Sequence, residues 1–116
     1  MRSYSKAVKK KMSHLAGLAH QREQEEYLAK LAEKFDAWRK KEIDCWDLTD
    51  AIHQFHQKDA QNVYKVYDSN DDYDIQVARG IRFGLLKREE VDEDVLTSIE
   101  DLLRALDDAR GNKGEG

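Results

Sequence analysis

Proline is absent from this 116-residue chain, cysteine occurs once, and glycine occurs only six times. Without proline there are no stiff proline-rich linkers or collagen-like repeats, and the strongest helix breaker is missing. With Cys45 alone, neither an intramolecular disulfide, a Cys-rich zinc site nor a CxxC redox pair can form, so a reducing, cytoplasmic setting is expected. No stretch of 18 consecutive apolar residues is present, and the segment following the early basic residues is interrupted by His14 and His20. A soluble, unexported protein with no membrane partner is the expectation. Gly-rich phosphate loops, a G-x-S-x-G elbow and a dinucleotide fingerprint are also missing, and no cofactor is expected.

What the chain has in excess is charge: Asp, Glu, Lys and Arg make up 38% of it, against about 25% in typical domains. Such residues populate helix exteriors and pair at i, i+4 spacing. Their distribution is uneven. Residues 1–22 hold Arg2, Lys6, Lys9, Lys10, Lys11 and Arg22 and no acid, giving +6, while the rest sets 14 bases against all 24 acids, giving −10. The expected organisation is a basic N-terminal arm or short helix over residues 1–22, a helical domain over 23–110 and a disordered tail over 111–116.

Hydrophobic spacing predicts the helices. Leu28, Leu31, Phe35 and Trp38 recur at steps of three, four and three and, with Tyr27 and Ala32, fill an arc of roughly 140°. The stripe that starts at Leu15 and Leu18 fails across residues 21–26. Asp44 is placed to cap a second helix with Leu48, Ala51, Ile52 and Phe55 inward. Ala60, Val63, Tyr64 and Tyr67 follow out of phase, which predicts a bend near residues 57–59 or two short helices. Residues 68–72 read as an Asx-rich turn. A helix over about 72–86 shows Ile75, Ala78, Ile81 and Leu85 on one face, and Gly80 and Gly84 on an edge that invites a close backbone neighbour. After Asp92, a last stripe runs from Val95 through Ile99 and Leu103 to Leu106, ending near Arg110. No segment alternates like a strand. The fold class is all-α, a compact array or bundle of four to five helices with short connections and no sheet.

Candidate functional residues fall into three groups. The first is a partner surface: aromatic residues exceed what small helices need for a core, so a homodimer is expected through Gly80, Phe83 and Gly84 or through Leu28, Leu31, Phe35 and Trp38, alongside an unidentified protein partner. The second is nucleic acid, held by phosphate contacts from Arg2, Lys6, Lys9, Lys10 and Lys11; the acidic remainder opposes long-range attraction. The third is metal. Asp50, His53 and His56 have ligand chemistry at helical spacing, although Asp50 and His53 point about 150° from the apolar face, which favours a solvated role. Glu23, Glu26, Asp71 and Asp74 are similar only in spacing to the carboxylates of all-helical nucleotide pyrophosphatases, and a charged outer face is expected of them. Cys45, between acids, is expected to be buried or at a boundary. A non-enzymatic helical interaction module is the leading functional expectation.

Overall fold

The first element, α1, is a single helix over Lys6–Arg39. Its Ala, Leu, Lys, Glu and Gln residues all favour helix, and no β-branched run interrupts them. Ser5 starts it, accepting from the Val8 N–H at 3.1 Å in the manner of an N-cap. It ends in a Schellman turn: Lys41 takes the left-handed conformation at φ 63, the Glu42 N–H donates to Ala37 O at 2.9 Å, and the Lys41 N–H donates to Trp38 O at 3.0 Å. The basic segment is therefore the start of a long helix and not a separate arm. The computed structural model describes residues 4–68 and 72–115, with side chains as far as Asp108. Arg2, residues 69–71 of the Asx-rich turn and Gly116 lie outside the described residues. Among those described, all regular structure is helical and no strand occurs.

Chain packing separates Met1–Ala19 together with Ser69–Gly116 as one unit from His20–Asp68 as another. This differs from a boundary at residue 22. In the first unit Val8, Met12, Leu15, Ala16 and Ala19 line the inner side of α1, spaced for one helix face. α4, over Tyr73–Arg82, adds Val77 and Ala78. Gly80 is buried, and a Cβ there would come within 3.0 Å of Leu86 Cδ1 and 3.2 Å of Ala19 Cβ. A close neighbour is present at Gly80, but it is the side chains of Leu86 and Ala19 and not the backbone expected, and nothing would lie within 4 Å of a Cβ at Gly84. Gly84 has another role: at φ +76 it is the left-handed residue of a second Schellman turn, with Leu85 N–H donating to Gly80 O at 2.9 Å. α4 thus stops at Arg82 rather than Leu86. Its inner face centres on Val77, so Ile75 is left 48% exposed.

A short 3-10 turn at Arg88–Glu90 leads into α5, Glu93–Ser98, and α6, Glu100–Glu115. The expected single helix is interrupted at Ile99, φ −110 and ψ 11. Its apolar stripe survives the interruption, since Val91, Val95, Ile99 and Leu103 are all buried. The α6 backbone continues past Arg110; side chains over 109–115 lie outside the described residues.

The His20–Asp68 unit is an antiparallel hairpin. Residues 20–39 of α1 form one limb; α2, Cys45–Gln54, a π-helical turn at Phe55–Asp59 and α3, Ala60–Tyr67, form the other. Asp44 caps α2 as expected, accepting from Asp47 N–H at 2.8 Å while its own N–H donates to Asp47 Oδ2 at 3.3 Å. The bend expected near residues 57–59 is the π turn, in which Ala60 N–H donates to Phe55 O. Widening one turn lets the out-of-phase stripe face the same limb without breaking the helix. At the open end of the hairpin, Tyr67 meets α1: its ring stacks on His20 at 4.5 Å, and its hydroxyl donates to Glu23 Oε1 at 2.8 Å.

Candidate interaction surface

The hairpin buries little. Leu48 and Val63 are its only buried apolar side chains among the described residues, while Leu28, Trp38, Trp46, Ile52 and Tyr64 are all more than one-third exposed. Between its limbs runs an open groove of about 450 Å³, floored by Tyr27, Leu31, Ile43, Ala51 and Phe55. Its rims have opposite charge. Lys30 and Lys34 stand on the α1 side; Asp47, Asp50 and Asp59 stand on the other. Lys30 lies over the Tyr27 ring at 5.3 Å. Among the described residues, no ion pair joins the two rims.

The expected partner residues separate on this structure. Leu31 is in the groove floor, and Leu28 and Phe35 lie on the same limb; Trp38 borders a neighbouring recess with Ile43, Asp44 and Asp47. The Gly80, Phe83 and Gly84 surface does not hold together as expected. Gly80 is consumed in the interior of the other unit and Gly84 terminates α4, which leaves Phe83, 67% exposed beneath the Arg79 guanidinium at 4.9 Å. Cys45 is exposed, because the first turn of α2 carries it on the outer side; the buried or boundary placement is corrected.

The metal-type cluster does not close. Asp50, His53 and His56 are all exposed, and among the described residues no three His, Cys, Asp or Glu side chains gather around a common point. Asp50 instead belongs to the groove rim, and His56 sits in the π turn. The basic residues are also redistributed. Lys6, Lys9 and Lys10 are exposed, but Lys11 holds two carboxylates, Asp92 at 3.0 Å and Asp94 at 2.9 Å. The hydrogen bond to Asp94 raises the Lys11 ammonium above its usual value, with that to Asp92 adding to it, and the bond from Lys11 lowers the Asp94 carboxyl. Asp92 begins α5 through its backbone, with its side chain turned to Lys11 rather than to the helix end. In the hairpin, hydrogen bonding to Asp68 pushes the Tyr64 phenol up.

Two buried acids were not anticipated. Glu23 is 7% exposed and receives the Tyr67 hydroxyl; Asp74 is 8% exposed and receives the Tyr4 hydroxyl at 2.9 Å. Glu23 is thus inward rather than on a charged back face. The available signal was its register: it lies four residues beyond Ala19 on the inner line of α1. No protein-family model matches this chain, and no curated protein or solved structure shows significant similarity to it.

Proposed function

We propose that this chain is a non-enzymatic helical protein-interaction module that pairs with a second copy of itself through the hairpin of residues 20–68. The supporting observation is the open groove: an apolar floor of Tyr27, Leu31, Ile43, Ala51 and Phe55 in a unit that buries just two apolar side chains among the described residues. Two helices side by side enclose little, and stable helical layers bury their stripes against a further layer. The reading is checked by light scattering over a range of concentrations. The 116-residue chain is expected at twice 13.5 kDa, and Leu31→Asp, which puts a charge on the groove floor, is expected to return it to the single-chain mass with its helicity unchanged. A parent protein of single-chain mass at the highest concentration overturns the reading.

A further inference from the structure

We infer that pairing of the two copies is specified by charge, with the Lys30 and Lys34 rim of one hairpin seated against the Asp50 and Asp59 rim of the other about a two-fold axis parallel to the helices. The inference rests on the self-pairing proposed above and names how it is directed. A groove whose two rims carry opposite charge is self-complementary under a two-fold operation: turning a second hairpin through 180° brings its anionic rim to the first one's cationic rim, and does so twice. The same operation sets each α1 limb antiparallel to the other copy's α2 limb, which is the arrangement of an up-down four-helix bundle. Within a single chain these charges do not neutralise one another, since no ion pair crosses the groove among the described residues. Opposite charges held on facing walls yet unpaired are available to an incoming surface of the same pattern. Extent agrees as well. Residues 20–39 span about 30 Å at 1.5 Å per residue and two helices about 20 Å across, so one face offers on the order of 600 Å² and the pair about 1,200 Å², the lower end for a specific interface.

Charge reversal tests this on the full chain. Lys30→Glu/Lys34→Glu makes both rims acidic, and Asp50→Lys/Asp59→Lys, with Asp47 left in place, gives both rims net positive charge. Each protein alone is expected to lose self-association by roughly a hundredfold or more, because like charges then meet at both contacts. An equimolar mixture is expected to recover a species of twice the single-chain mass, since facing rims in the mixed pair carry opposite net charge. That recovery weakens as salt shortens the screening length. Circular dichroism of each variant should match the parent; the milder pair Lys34→Glu and Asp50→Lys, both at exposed positions, repeats the test should the double variants lose helicity. Variants that pair alone as tightly as the parent, or a mixture that stays at single-chain mass while the parent pairs, overturn the charge specification and leave self-pairing standing. A parent that never pairs overturns self-pairing itself.

Discussion

Among the described residues, thirteen of the fifteen buried apolar side chains belong to the unit of Met1–Ala19 and Ser69–Gly116, and two to the hairpin His20–Asp68. Yet the aromatic side chains favour the hairpin, which holds Tyr27, Phe35, Trp38, Trp46, Phe55, Tyr64 and Tyr67. One unit closes its interior with Met12, Val77, Leu86, Val95 and Ile99, each at 2% exposure or less; the other carries large apolar surface that its own chain does not cover. The difference is one of layers. In the first unit residues 6–19 of α1 share a core with α4, α5 and the start of α6, whereas the hairpin, taken by itself, is two limbs side by side.

The contrast is broken most directly by truncating equivalent residues. Ile99→Ala is expected to destabilise the folded chain by about 3 kcal/mol, through lost burial plus the cavity left behind. Ile52→Ala, at 40% exposure, should cost well under about 1 kcal/mol. Chemical denaturation measures both, and equal losses would erase the distinction between a closed and an open unit. Next in size is Tyr67→Phe, which takes a hydroxyl donor from buried Glu23 and is expected to cost about 1–2 kcal/mol; Tyr4→Phe does the same to Asp74 in the other unit. Similar losses in the two would show that buried acids are held alike in both.

The smallest effect concerns the first unit's surface. Asp94 is held below the usual carboxylate range by Lys11, so its contribution is present above the unfolded-state value and is lost as pH falls through the lowered one. Lys11 is raised by the same contact, so its contribution holds below the ordinary lysine value and is lost as pH rises past the raised one. Lys11→Gln should therefore lower Tm slightly at neutral pH, and the gap from the parent should narrow in acid and in high salt. A gap unchanged between neutral pH and strong acid would show that the ion pair contributes nothing.

Periodicity made the helical class legible, and with it the 28–38 stripe, the Asp44 cap and a close neighbour at Gly80. It did not show α1 as one element, for a specific reason. The inner line Val8, Met12, Leu15, Ala16, Ala19 is partly alanine, and its next member is Glu23, an acid that reads as solvent-facing until Tyr67, 44 residues away, is placed over it. A stripe interrupted by one satisfied polar residue looks like a stripe that ends. Gly80 illustrates a related ambiguity: spacing signals that something approaches closely, but not whether it is Ala19 and Leu86 of the same chain or another molecule. The groove was half legible. Leu31 stands out in the sequence by its apolar spacing, whereas the value of Lys30, Lys34 and Asp59 depends on two limbs facing each other, which no single-helix projection contains.

The π turn at Phe55–Asp59 bears on how this chain tolerates change in length. Leu48, Ala51 and Phe55 are each followed twelve residues later by Ala60, Val63 and Tyr67, a separation that an unbroken α-helix would rotate by about 120°. Eleven residues would leave only about 20°. The segment therefore contains one residue more than its two faces require, and the widened turn absorbs it. Removing a residue between Phe55 and Ala60 would convert the turn to ordinary helix while Val63 and Tyr67 kept their places against α1. Inserting or deleting one anywhere else in that limb would swing Tyr67 away from Glu23 and His20. Within the hairpin, those few positions are the one stretch of α2 through α3 where the chain can shorten without being rewritten.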